Sequence, residues 1–260
     1  MECIAGLDIG SAFSKAVIMG EDGSLLSYSV RPNSGNFSTA ADLVLKDAAQ
    51  KAQVSVDDLT LIGACGYGVH FISRPCTKIT ELSCHSRGAS YLIPTVRTLI
   101  EVGNQSARVM KTTAKGRVAD SLVSDKCAAG SGRILHILAK VLKVELEQLG
   151  ELSQSSTHPA KFTTNCAVFL ETEAISRVAE GTPKQDIIAG LHRTIAAKIG
   201  AMVQRMKIEA DCVMTGGAAL DVGLVSMMEK EIGQKVHVPE QPMITGAIGA
   251  ALIVLEKRGN

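Results

Sequence analysis

The sequence predicts an α/β protein made of two similar lobes that face a cleft. Hydrophobic residues make up 46% of its 260 residues and the net charge is +1, which is typical of a globular protein with a substantial core. One order of elements, βββαβα, occurs twice, and several predicted strands end in glycine loops. We therefore expect an N-terminal lobe over residues 1–95 and a C-terminal lobe over 96–260, with the final helix able to pack back on the first lobe.

The first lobe is expected to begin with three strands. They are CIAGLDIGS, SKAVIMG and SLLSYSV, and the Asp-Gly pair at residues 22–23 indicates a hairpin between the last two. Apolar residues at helical spacing predict a helix near residues 39–53. LTLIGACGYG is then predicted as a strand that runs into a glycine loop, and ITELSCHSRGASYLI as a second helix.

The second lobe repeats this layout from TLIEVGN onward. SARVMKT and RVADSLV form the predicted hairpin, and apolar stripes predict long helices over residues 131–149 and 184–206. DCVMTGG is a strand that leads into a loop, and after it come a helix, the short strand KVHVP and the final helix GAIGAALIVLEK. Because hairpins need antiparallel neighbours and helical crossovers allow parallel ones, we expect mixed sheets.

Composition excludes several classes of function. The charge balance argues against nucleic-acid binding, and no run of about 18 apolar residues predicts a membrane span. The first ten residues contain an acid and lack a basic start, unlike a secretory signal. Seven scattered cysteines indicate reduced thiols and a cytoplasmic location. Five of them are expected to be small buried hydrophobes: Cys3, Cys65, Cys76, Cys84 and Cys212.

The first glycine loop has the residues that a phosphate site needs. Asp8 at a strand end can hold Mg²⁺ directly or through water, and Gly10 allows a tight turn. Backbone amides and the hydroxyls of Ser11 and Ser14 can donate to phosphate oxygens, and Lys15 supplies a positive charge. The alternative is an ordinary hairpin turn with a solvated lysine.

Two further loops follow predicted strands, at residues 101–106 and 215–218. Together the three loops favour a nucleotide held between two lobes, with the last loop near the adenosine. The candidate binding residues in the second and third loops are Gly103, Asn104, Gly216, Gly217 and Ala218.

Two cysteines occupy a different setting from the other five. Cys127 precedes a glycine turn and a predicted helix, and Cys166 follows the candidate cap residues Thr164 and Asn165 before another helix. A helix N-terminus favours the thiolate, which is the form that binds iron or zinc. A 4Fe–4S cube takes four thiolates, so a two-fold dimer would supply the second pair. A buried core cysteine, or an incidental thiol beside a capped helix, remains an alternative.

The chain resembles the activators of 2-hydroxyacyl-CoA dehydratases, a family that also holds the ATPase subunits of benzoyl-CoA reductase. The resemblance covers nearly the whole chain. Its specific parts are DKCAAGSGR and the cysteine in TTNCAVFLETEAIS, supported by LDIGSAFSKAVI, ELSCHSRGAS, DIIAGLHRTIAAKI, VMTGGAALDVG and GAIGAAL. The glycine loops are shared with the wider superfamily, which implies an actin-like or sugar-kinase-like (ribonuclease-H-like) fold with a nucleotide cleft.

This resemblance implies an ATPase coupled to electron transfer. It implies a homodimer with one 4Fe–4S cluster bridging the subunits through Cys127 and Cys166 of each chain, and ATP or ADP bound with Mg²⁺. Glu101 and Gln105 are the implied catalytic residues. Ferredoxin or flavodoxin would be the electron source, and an iron–sulfur acyl-CoA dehydratase or reductase would receive the electron. No nucleic-acid or membrane partner is implied.

The chain departs from the family pattern in two loops. The second loop usually reads Asp-Ile-Gly-Gly-Gln-Asp, whereas here it reads EVGNQS over residues 101–106. Cys65 and Val69 replace the usual threonine and arginine around Gly-Tyr-Gly. These changes predict slow or altered ATP hydrolysis. Two alternatives follow: a small-molecule kinase, which would need a base aspartate in the second loop, and a nucleotide-binding regulator.

Overall fold

A computed structural model describes residues 2–33, 35–124, 130–164 and 166–258. The chain forms two compact units. The first consists of Met1–Arg97, Thr112–Ala119 and Pro239–Asn260, and the second of Thr98–Lys111 and Asp120–Val238. Each unit contains one five-stranded sheet.

The sheet of the first unit is mixed, as predicted. Its elements are β1 (Cys3–Ile9), β2 (Phe13–Gly20), β3 (Leu25–Pro32), α1 (Phe37–Lys51), β4 (Leu59–Cys65), β5 (Thr77–Lys78) and α2 (Glu81–Leu92). The strand order is β3-β2-β1-β4-β5. The hairpin strands β1, β2 and β3 pair antiparallel, whereas β4 pairs parallel with β1 and β5 because helical or loop crossovers connect them.

The second unit repeats this topology. Its elements are β6 (Thr98–Val102), β7 (Ala107–Thr112), β8 (Val118–Val123), α3 (Arg133–Leu142), α4 (Leu149–Gln154), α5 (Ala167–Ala179), α6 (Lys184–Met206), β9 (Cys212–Thr215), α7 (Val222–Ile232) and β10 (Val236–His237). The strand order β8-β7-β6-β9-β10 matches the first sheet position by position. The predicted duplication is therefore confirmed at the level of topology.

The long helix predicted over residues 131–149 is wrong. The observed α3 ends at Leu142, because Lys143 adopts the left-handed conformation with φ of 52°. The chain resumes with a 3₁₀ turn at Leu146–Gln148, which a reciprocal capping box between Glu145 and Gln148 initiates. The apolar periodicity continues across this break, which is why the pattern alone suggested one helix.

The last helix, α8 (Thr245–Arg258), belongs to the first unit. It packs against α2 on one side and against β1 and β4 on the other. The approach is close enough that a Cβ at Gly249 would lie 1.7 Å from the carbonyl oxygen of Cys84. On the sheet side, a Cβ at Gly63 would lie 2.2 Å from the carbonyl oxygen of Ala250. Gly249 of α8 and Gly63 of β4 therefore let the backbones touch on both sides.

The cores follow the predicted stripes. In the first unit, Val44 and Leu45 of α1 are buried with the inner residues of β1 and β2. In the second unit, the buried face of α6 packs with α3. Four of the five cysteines expected inside are buried, namely Cys3, Cys65, Cys84 and Cys212, whereas Cys76 is partly exposed. None of the described helices is both long and apolar enough to cross a membrane.

Candidate nucleotide and cluster site

The first loop has an acid tied to a base across two strands. Asp8 and Lys15 are directly paired residues of β1 and β2, and Lys15 Nζ lies 3.0 Å from Asp8 Oδ2. Asp8 is 3% exposed, so its charge is balanced inside the protein rather than by bulk water. The Gly10 amide donates to the carbonyl oxygen of Phe13 at 3.0 Å and closes the turn. Ser11 lies on this turn, partly exposed.

Asn33 completes the first loop and was missed in the sequence. Its Nδ2 donates to the carbonyl oxygen of Gly10 at 2.6 Å, and its backbone amide donates to the carbonyl oxygen of Ala12 at 2.8 Å. The buried Ser14 hydroxyl donates to Asn33 Oδ1 at 2.6 Å, so Ser14 stabilises the loop in this structure. The hairpin register, which sets Phe13 opposite Pro32, brings Asn33 here and could have indicated it.

The second loop has the same design with longer side chains. Glu101 and Arg108 are paired residues of β6 and β7, and Arg108 Nη1 lies 2.5 Å from Glu101 Oε2. The Gly103 amide donates to the carbonyl oxygen of Ser106 at 3.0 Å, as the Gly10 amide does to the carbonyl oxygen of Phe13. Arg108 was not predicted as a site residue. Asn104 and Gln105 lie on the turn, partly exposed.

The third loop contacts the second. Gly216 has φ of 90°, and a Cβ there would lie 2.4 Å from the carbonyl oxygen of Val102 and 3.1 Å from Glu101 Oε1. Gly217 and Ala218 follow in the 3₁₀ turn Gly217–Leu220. The second unit thus brings together the predicted residues of two loops around the Glu101 carboxylate.

The second loop is also bonded to the start of α3. The Gly132 amide donates to the carbonyl oxygen of Gly103 at 2.8 Å. Gly132 is the residue before α3, and Cys127 precedes it by five positions. Cys127 itself lies outside the described residues.

Cys166 lies at the start of α5, as predicted, with one difference. Cys166 is itself the N-cap residue, and its amide donates to Thr164 Oγ1 at 3.1 Å. Its exposed thiol stands at the positive end of a 13-residue helix, a setting that fits a thiolate ligand of iron. Among the described residues no group of three His, Cys, Asp or Glu side chains could hold a metal ion. The α5 helix packs against α3.

Three other cysteines are poor metal ligands because their thiols favour the protonated form. A hydrogen bond with Cys84, burial and the nearby Asp8 charge raise the pKa of Cys65 well above its ordinary value. Burial raises the pKa of Cys212 to about 12 and also raises the pKa of Cys76.

Two duplicated mixed sheets, each with an acid at the end of its central strand and a glycine loop after it, define the actin-like and sugar-kinase-like class of nucleotide-binding folds. A glucokinase of the ROK family from Streptomyces griseus, 12% identical, shares this fold with a TM-score of 0.60 over 96% of this chain and 98% of that one.

The chain belongs to the BadF/BadG/BcrA/BcrD ATPase family, whose model matches residues 5–254. It is 38% identical to the 2-hydroxyisocaproyl-CoA dehydratase activator of Clostridioides difficile over 97% of this chain and 94% of that one. A solved structure of the activator of that dehydratase from Clostridium difficile, with bound ADPNP, superimposes with a TM-score of 0.94. It is 36% identical and covers 99% of this chain and 96% of that one. The predicted family and fold are confirmed.

Proposed function

We propose that this ATPase is a one-electron donor that activates an iron–sulfur acyl-CoA dehydratase or reductase. It would act as a homodimer with one 4Fe–4S cluster, held by Cys127 and Cys166 of both chains. The observation that carries the proposal is the continuous path in the second unit from the second loop to α3 and α5, the two helices that follow these cysteines. The similarity to the 2-hydroxyisocaproyl-CoA dehydratase activator supports the choice of partner.

The loops would bind ATP or ADP with Mg²⁺. In the first loop, backbone amides near Gly10 and the Ser11 hydroxyl would donate to phosphate oxygens. Asp8 Oδ2 is bonded to Lys15, and the carboxylate would hold Mg²⁺ directly or through water. In the second unit, Gly103 and Asn104 of the second loop and Gly216, Gly217 and Ala218 of the third would contact the nucleotide. The ADPNP bound by the similar activator supports this assignment.

Glu101 and Gln105 would orient the water that attacks the terminal phosphate. Both lie on or beside the second loop, and Glu101 is 4% exposed, so its carboxylate is largely shielded from bulk solvent. Loss of the phosphate would release the contacts of the second loop. Because the carbonyl oxygen of Gly103 accepts a hydrogen bond from the Gly132 amide, this change would reach the first residues of α3.

Helices α3 and α5 would carry that movement to the thiols. Their buried side chains, including Leu138 and Leu170, belong to one core cluster, so a shift of α3 would repack α5. The cluster, when bound, supplies one electron at low potential from ferredoxin or flavodoxin to the partner enzyme. Exposed apolar side chains on α5 support a subunit contact beside Cys166: Val168, Phe169, Ile175 and Val178.

Anaerobic reconstitution with iron and sulfide tests the proposal. We expect about four irons per dimer, an EPR spectrum of the reduced protein that changes when ATP is added, and ATP hydrolysis. Replacing Cys127 or Cys166 with Ala should remove the iron. Cys76→Ala is the control, because that thiol is partly exposed but lies in the first unit. Reconstituted protein without iron would refute electron transfer.

The regulator alternative makes a different prediction. Asn104 and Ser106 stand where the family has glycine and aspartate, and these two changes favour weak hydrolysis at this loop. Tight ATP binding without phosphate release, even with partner and reductant present, would identify a nucleotide-binding regulator. Phosphate release coupled to reduction of the partner would exclude it.

A further inference from the structure

The two sheets carry equivalent rows of three side chains at the loop end of their central strands. In the first unit the paired residues are Lys15, Asp8 and Cys65, on β2, β1 and β4. In the second unit they are Arg108, Glu101 and Thr215, on β7, β6 and β9. Each row therefore consists of a base, an acid and a small side chain with one polar atom, in the same order across the sheet.

The glycine that follows each row repeats the match at atomic distances. Gly66 and Gly216 both have positive φ, of 99° and 90°. A Cβ at Gly66 would lie 2.7 Å from Asp8 Oδ1, and one at Gly216 would lie 3.1 Å from Glu101 Oε1. In both rows one carboxylate oxygen contacts the base and the other faces a glycine.

We propose that Arg108 is a positioning residue for ATP hydrolysis, acting through Glu101; this inference rests on the proposed function. A glutamate has one more rotatable bond than an aspartate, so Glu101 needs a stronger anchor than Asp8 to hold one geometry. The guanidinium supplies it by fixing Oε2 at 2.5 Å.

With Oε2 fixed, Oε1 is the oxygen left to face the nucleotide loops. A Cβ at Gly103 would lie 2.8 Å from Oε1. The second and the third loop therefore both lie against this oxygen. Thr215 is fully buried beside Glu101, and its hydroxyl has no hydrogen-bond partner among the described residues. Arg108 thus orients the carboxylate toward the loops, without having to contact the nucleotide itself.

Steady-state ATP hydrolysis by the reconstituted holoenzyme tests this role. Arg108→Met should lower kcat about tenfold or more with KM for ATP changed less than about threefold, because the acid is misoriented while phosphate binding persists. Arg108→Lys keeps the charge but loses the guanidinium, so its kcat should fall between those of Arg108→Met and wild type. Lys111→Met is the control, since Lys111 also lies on β7 and pairs with an acid, Glu209, at 2.6 Å; its kcat should not change.

The Glu101→Gln background separates positioning from other roles. If Arg108 acts through Glu101, adding Arg108→Met to Glu101→Gln should reduce kcat no further. An additional tenfold loss there, or an unchanged kcat in Arg108→Met alone, overturns the inference while leaving the proposed function intact. Wild-type protein that neither binds nor hydrolyses ATP overturns both.

Discussion

Gly249→Ala tests the close packing of α8 in the first unit. The new methyl carbon would start 1.7 Å from the carbonyl oxygen of Cys84, a separation that real side chains do not show. To reach even 3.0 Å, α8 would have to move away from α2 by more than about 1 Å. The sheet blocks that movement, because on its other side the backbone of α8 already lies against Gly6 and Gly63, with no room for even a Cβ between them.

The loss of stability follows from the contacts of α8 with both α2 and the sheet. Overpacking in a well-packed core costs about 1–3 kcal/mol, and more where backbone must move on both sides. We expect about 3 kcal/mol or more of lost stability in the first unit. For a chain of this size that corresponds to a melting temperature lower by roughly 6–12 °C.

Differential scanning calorimetry of the purified protein measures the effect. Gly132→Ala is the matched control, because Gly132 has φ of −61° and a Cβ there would meet nothing closer than 3.4 Å. The same substitution should be neutral or stabilise the second unit by about 0.4–1 kcal/mol. A Gly249→Ala protein that melts within about 2 °C of wild type would show that α8 is not held as described.

Three further predictions concern capping and thiols. Asp221→Ala should destabilise the second unit by about 1–2 kcal/mol, because Asp221 Oδ1 accepts two amides at the start of α7 at 2.9 Å. Asp221→Asn should lose less stability than Asp221→Ala, and equal losses of the two variants in urea titration would contradict the role of Asp221 as the cap. Because burial raises the pKa of Cys212 to about 12, its stabilising contribution is complete below pH 9 and is lost as pH rises toward 12. The slope is about 1.4 kcal/mol per pH unit, so Cys212→Ala should show a shallower alkaline decline in thermal melts. In cluster-free protein, iodoacetamide at pH 8 should label the exposed Cys166 before the buried Cys65 in peptide mapping, and equal labelling of the two would disprove the burial of Cys65.

Much of the fold was predictable because the local patterns agree with the tertiary structure. The Asp-Gly turn fixed the β2–β3 hairpin, and the apolar stripe of α6 matches its buried face over Lys184–Met206. The end of α3 was not predictable, because Lys143 in the left-handed conformation is an uncommon residue for that role.

The candidate site was predictable in its loops but not in its cross-strand partners. Asp8 and Glu101 stood out as acids at strand ends. Arg108 and Asn33 reach the loops because of how the strands pair, and the order of residues along the chain does not show that pairing. One clue was available. In both halves a base follows the acid by seven residues, as Lys15 follows Asp8 and Arg108 follows Glu101. The Cys127 setting lies outside the described residues and stays a prediction.

The return of α8 to the first unit has a consequence for biosynthesis. When residue 97 leaves the ribosome, one face of the first sheet, including Ile4, Val17 and Met19, still lacks the helix that covers it. At about 5–20 residues per second, α8 emerges on the order of ten seconds later. The second unit is complete before then, so nascent chains should expose a bare apolar sheet that chaperones must shield. Chains that end before residue 245 should therefore aggregate rather than remain folded and soluble.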